Sequence, residues 1–145
     1  MKMLAALDTN VLVAGLSSRN GASNRILEHL LDGTFALLAT PALWLEYEAV
    51  LKREQQLLRH GFSAAEVDVL LDTFAQFAVP VRLHYLWRPQ LRDANDEMVL
   101  ELAVNGQAHA LVTHNTADFA AAAPRFGLRV LRPAEFLKLL ESHHE

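Results

Sequence analysis

The sequence contains no cysteine, which excludes a disulfide framework, a thiolate-bound zinc or iron–sulfur centre and a cysteine nucleophile. It also lacks any apolar run of membrane length, because Arg, Glu, Asp or His interrupts each candidate well short of about 18 residues. The opening Met1–Leu7 turns polar at Asp8-Thr9-Asn10, too soon for the apolar region of a signal peptide. A soluble cytoplasmic protein, away from the membrane, is therefore expected. Positive charge is scarce: 13 basic residues face 17 acidic ones, a net charge of −4, so no broad basic face for duplex nucleic acid is expected. A polyanion would have to bind through a local patch or a metal. Of the 13 basic residues ten are Arg, and only Lys2, Lys52 and Lys138 are Lys.

Apolar residues, by contrast, make up 52% of the 145, ample for one core and too many for a disordered chain. The length predicts one domain, over 1–141, followed by a short tail at 142–145 that frays. Strand-like and helix-like patterns alternate throughout. Strands are predicted at Met3–Leu7, Phe35–Ala39, Val79–Leu83, Ala110–Val112 and Leu128–Leu131. Between them fall a helix over Val11–Leu16, one capped by Ser23 and stopped at Asp32-Gly33, and one from Thr40-Pro41 to about Arg53. A capping box at Ser63 and Glu66 opens the next, Glu97–Val104 another, then a short one near Asp118–Ala123 and a last from Pro133 to Leu140. Such alternation implies right-handed crossovers and a three-layer α/β/α domain with a parallel sheet. Ligands in such sheets bind beyond the carboxyl ends of the strands, where chemistry is to be sought.

Asp8 follows the first strand directly, and Thr113, Asn115 and Asp118 follow the fourth. Glu46 falls at the edge of the Leu43–Val50 stripe, whereas Glu48 points about 140° away from Leu43 on a helix of 3.6 residues per turn. Asp96 heads the stripe of Val99 and Leu100, with Asp93 one turn earlier. Singly, Asp8, Asp93, Asp96, Asn115 and Asp118 also read as helix caps, Glu46 as a surface residue and Thr113 as a strand end. Together, they place four acids from four segments at one sheet edge. Carboxylates so gathered raise one another's pKa unless a cation joins them, and oxygen ligands without His or Cys suit Mg²⁺ or Mn²⁺. The matching chemistry is in-line attack by metal-activated water on a phosphodiester.

Four motifs resemble the PIN-domain family of metal-dependent ribonucleases, many of which are toxins of toxin–antitoxin modules. They are Leu7-Asp8-Thr9-Asn10-Val11-Leu12-Val13, Thr40-Pro41-Ala42-Leu43-Trp44-Leu45-Glu46-Tyr47, Arg92-Asp93-Ala94-Asn95-Asp96 and Val112-Thr113-His114-Asn115-Thr116-Ala117-Asp118-Phe119. The resemblance spans nearly the whole chain in order. It implies a PIN-like sheet of four to five parallel strands between helices, with Asp8, Glu46, Asp96 and Asp118 as catalytic acids. Asp8, Asp96 and Asp118 would hold Mg²⁺ or Mn²⁺, Asp93 would be an extra ligand and Glu46 would position or deprotonate the water. Thr113, Asn115 and Asn10 would orient the site. Many members carry an acid where this chain has Asn115, so the number of metals stays open. The resemblance also implies an RNA substrate, single-stranded or structured, an antitoxin partner and a homodimer or larger homo-oligomer.

Arg82, Arg88 and Arg92 are candidates to grip that substrate, with Tyr85 and Trp87 to stack on bases. The same stretch equally reads as a solvated loop with two rings folded onto the core. An Asp after the first strand also marks phosphatases of the haloacid dehalogenase type and response-regulator receivers. Both need a lysine at a later strand end, and none of the three lysines lies there. The first also wants an acid where Asn10 stands. The histidines lack the close helical pairing of a zinc site. The alternative is a PIN-like module that binds RNA or a protein without cutting.

Overall fold

A computed structural model describes residues 2–83 and 91–144, the side chains of 143 and 144 excepted. The chain runs β1 (Met3–Leu7), α1 (Thr9–Ser17), α2 (Ala22–Leu31), β2 (Phe35–Ala39), α3 (Pro41–Leu51), α4 (Glu54–His60), α5 (Ala64–Ala75) and β3 (Ala78–Pro80). It continues through α6 (Ala94–Asn105), β4 (Ala110–Val112), 3₁₀ turns at Thr116–Phe119 and Ala123–Phe126, β5 (Val130–Leu131) and α7 (Pro133–His144). The five strands are all parallel, in the order β3-β2-β1-β4-β5. From β1 the chain first steps outward through β2 to β3 and then returns past β1 to β4. Right-handed crossovers in opposite directions put helices on opposite faces, giving the three layers. α2 and α7 pack on each other and reach β2, β4 and β5, while α6 lies on β1, β2 and β4.

Every residue of β2 is buried, as are Ala5, Ala6 and Leu7 of β1, the pattern of a parallel sheet covered on both sides. Phe35 of β2 meets Phe136 of α7 edge-on, with centroids 5.3 Å apart, locking that helix onto the sheet. The end of α6 comes so close to β2 that a Cβ on Gly106 would stand 2.7 Å from Leu38 Cδ1. None of the helices among the described residues is long and apolar enough to cross a membrane.

Several local expectations hold to the atom. Thr40 caps α3, its hydroxyl accepting from Leu43 N, and the capping box of α5 closes both ways, Ser63 N donating to Glu66 Oε1 and Glu66 N to Ser63 Oγ. Others shift. Ser23 does not cap α2; Gly21 takes that position and Ser23 is buried within the first turn. The helix from Pro41 stops at Leu51, because Arg53 adopts an extended backbone (φ −60°, ψ 140°) and starts the separate α4. α4 ends at His60 and is capped by Gly61, whose φ of +81° favours a residue without a Cβ. β3 begins one residue earlier than expected and ends at Pro80, a residue tolerated on this edge strand, beyond which Val81 N makes the last bond to β2, to Ala39 O at 2.9 Å. α6 starts at Ala94 rather than Glu97, since Asp93 caps it. The short helix expected near Asp118 is two 3₁₀ turns, β5 is reduced to two residues, and α7 continues through His144.

Candidate metal centre

The chain reverses its direction across the sheet between β1 and β4, and a crevice opens beyond their carboxyl ends, as the topology of such sheets requires. Asp8 N donates to Val112 O at 2.9 Å, which extends the ladder by one rung and fixes Asp8 at that crevice. Both carboxylate oxygens of Asp8 are held: Oδ1 accepts from Thr9 N at 2.8 Å, and Oδ2 accepts from the Thr113 hydroxyl at 2.7 Å. Thr113 is fully buried and accepts in turn from Asn115 N at 3.0 Å and Asn10 Nδ2 at 3.4 Å. Asn10 Oδ1 accepts from His114 N at 3.3 Å. Thr113, Asn10 and Asn115 thus join the two strand ends around Asp8.

Asp8, Glu46, Asp93, Asp96 and Asn115 line one cleft of about 320 Å³, and Arg92, Asp93, Asp96 and Asp118 line a cavity of about 400 Å³ that shares two of them. Asp93 serves as the cap of α6, its Oδ1 accepting from Asn95 N at 2.7 Å and Asp96 N at 3.2 Å. Glu46 is half-buried at the cleft, while Glu48 points elsewhere and pairs with Lys52 at 2.9 Å, as the helical angles predict. Arg82 is exposed beyond β3 and lines neither cavity; Arg88, Tyr85 and Trp87 lie outside the described residues. Two cleft residues escaped the sequence reading, Arg53 and Gln56. The polar run Glu54-Gln55-Gln56 before Gly61 was the available signal of a separate helix.

The electrostatics tie the acids together. Burial pushes the Asp8 carboxyl above its usual range, the bonds from Thr113 and Thr9 oppose this, and the charges of Asp93 and Asp118 add to it. Burial, followed by the charges of Asp8, Asp93 and Asp118, pushes Asp96 up to about 6. Among the described residues, no three acidic or histidine side chains stand close enough to share one ion. The fit to a cation therefore rests on donor type and charge: several carboxylates that raise one another's pKa, with no sulfur or imidazole in the cleft, suit a hard divalent ion such as Mg²⁺ or Mn²⁺.

Asp96 makes a pH prediction. An acid whose folded pKa lies above its unfolded value stabilises the fold at low pH, and that contribution is lost as pH rises through the folded pKa. With an ordinary value of 3.8 and a folded value of about 6, the metal-free protein should lose stability from about pH 4 to 6, and more gradually above. Solvent screening of this partly exposed group limits the effect to about 1 kcal/mol. Thermal melts in EDTA across that range should show the slope, and Asp96→Asn should flatten it.

Two partners lie behind the crevice. The Tyr47 hydroxyl donates to Leu7 O, and burial pushes its phenol far above the usual range, so it stays a donor. Tyr47→Phe is expected to lower stability by about 1–3 kcal/mol in urea denaturation, because a buried carbonyl loses its donor. Ser23 Oγ lies 3.1 Å from His114 Nε2, which explains why that serine is buried rather than capping. Burial pushes the His114 imidazole below its usual range, Asp8 opposing and Arg132 reinforcing the shift.

A model of the PIN domain family matches residues 5–117, and the chain belongs to that family. Family membership supports a nuclease-type function in general terms. No curated protein matches the sequence. Among solved structures the chain resembles one in the crystal structure of VapBC2 from Rickettsia felis bound to a DNA fragment from their promoter. The identity is 17% and the TM-score 0.56, over 90% of this chain and 98% of that one, a likeness of fold.

Proposed function

We propose that the protein is a Mg²⁺- or Mn²⁺-dependent endoribonuclease, the cytoplasmic toxin of a toxin–antitoxin pair, acting on single-stranded or structured RNA. The observation that carries this is the electrostatic coupling of Asp8, Asp93, Asp96 and Asp118 at the β1/β4 crevice of a PIN domain. Asp8, Asp96 and Asp118 would hold the ion, with Asp93 as an additional ligand released from part of its capping role. A bound ion there supplies charge neutralisation for a phosphodiester and activation of water. Glu46, which lines the same cleft as Asp8 and Asp96, would orient that water or take its proton. Thr113 holds Asp8 in one orientation, and Asn10 and Asn115 hold Thr113. Arg92 faces the Asp118 side of the acids, where it can pair with a substrate phosphate. The likeness to a chain of VapBC2 supports an antitoxin partner, and the family resemblance implies a homodimer or larger homo-oligomer.

The experiment is cleavage of a labelled single-stranded RNA panel by purified protein in Mg²⁺, Mn²⁺ or EDTA. Cutting in either metal and none in EDTA is expected. A folded protein that binds RNA equally with and without metal and never cuts it would instead identify a binding module.

A further inference from the structure

The cleft that holds the acids has a second set of groups, supplied by the start of α4. Arg53 and Gln56 both line it, and Arg53 is the only cation among the described residues that do. No carboxylate among the described residues forms an ion pair with Arg53, although Glu46 and three aspartates line the same cleft. A guanidinium left unpaired beside so many acids is available to an incoming anion. Gln56 N donates to Arg53 O at 2.9 Å, which ties the two residues together in the first turn of α4, with both lining the cleft.

Gln56 carries the second observation. Its Oε1 is buried and receives no hydrogen bond, the sole such side-chain atom among the described residues. A buried acceptor without a donor is disfavoured, and a turn of the amide toward the cleft relieves it once a donor is there. In a nucleic acid bound with a phosphate on Arg53, the sugar is the nearest neighbour of that phosphate along the chain. Only a ribose offers a 2′-hydroxyl donor at that place.

We infer that Arg53 and Gln56 form a substrate subsite beside the acids, Arg53 pairing with a backbone phosphate and the Gln56 amide accepting from the adjacent 2′-hydroxyl. The subsite selects RNA over DNA before any base is read. It rests on the ribonuclease reading above, since it assigns how that same cleft grips its substrate.

The test uses the full chain with Mn²⁺, a short labelled single-stranded RNA of mixed sequence as substrate, and its unlabelled all-deoxy counterpart as competitor. Arg53→Ala should raise KM for RNA and Ki for the DNA together, by about tenfold, and reduce the slope of log affinity on log salt by about one phosphate contact. Gln56→Met should raise KM for RNA by about fivefold and leave Ki for the DNA and kcat unchanged. Its melting temperature should hold or rise, because the unpartnered acceptor is gone, so a weakened fold cannot mimic the effect. Wild-type KM, Ki and salt slope in both variants would overturn the subsite while leaving the ribonuclease reading intact, as would equal losses on RNA and DNA in Gln56→Met. A wild-type protein that cuts no RNA would overturn the ribonuclease reading and the subsite with it.

Discussion

Asp8→Asn should lower kcat for RNA cleavage by more than about a hundredfold, since even outer-shell partners of metal ligands cost about 10–100-fold when removed. The substitution keeps the shape of the site. An asparagine oxygen still accepts from Thr9 N, and its amide can donate to the Thr113 hydroxyl in place of Asn10 Nδ2, whose bond to that oxygen is the longest at 3.4 Å. What goes is a negative charge at the crevice. Burial disfavours that charge in the metal-free protein, so the variant should melt in EDTA at the same temperature as wild type or higher. Loss of cutting together with retained stability separates the role in chemistry from a role in folding. Steady-state cleavage in Mn²⁺ beside melts in EDTA checks both halves.

Thr113→Val should cost about 10–100-fold in kcat, together with about 1–3 kcal/mol of stability. Valine fills the same fully buried space, but Asp8 Oδ2 loses its hydroxyl donor and Asn115 N and Asn10 Nδ2 lose their acceptor. Asp8 is then free to turn, and its pKa moves further up because a bond that opposed the rise has gone. The acid limb of the pH–rate profile should therefore shift to higher pH. Thr113→Ser, which restores the hydroxyl, should recover most of the activity and return that limb. A uniform loss of rate at every pH, without recovery in the serine variant, would assign Thr113 to packing alone.

The site was legible in the sequence where it depended on local chemistry. A short apolar strand that ends on Asp8, and another that ends on Thr113, place both residues at the carboxyl edge of a parallel sheet with little help from the rest of the chain. The caps at Thr40 and Ser63 are likewise local, a side-chain oxygen and a backbone N–H a few bonds apart. Ser23 misled because serine favours caps, and its true partner, His114, lies 91 residues away. α4 stayed hidden because its leucines make no clean buried stripe: Leu57 packs on the core while Leu58 is 81% exposed. With it went Arg53 and Gln56, whose place at the cleft depends on the break in the chain at Arg53. Asp93 takes the capping role that its place before the helix allowed, and its charge also acts on Asp8 and Asp96.

The most direct measurement is calorimetric titration of Mn²⁺ into wild-type protein and into Asp8→Asn, each in a buffer free of other divalent ions. Saturable binding to wild type, weakened by more than about tenfold in the variant, is the predicted result. Equal Mn²⁺ affinity in the two proteins, with RNA cleavage in wild type nonetheless, would contradict the assignment of the β1/β4 crevice as the metal centre.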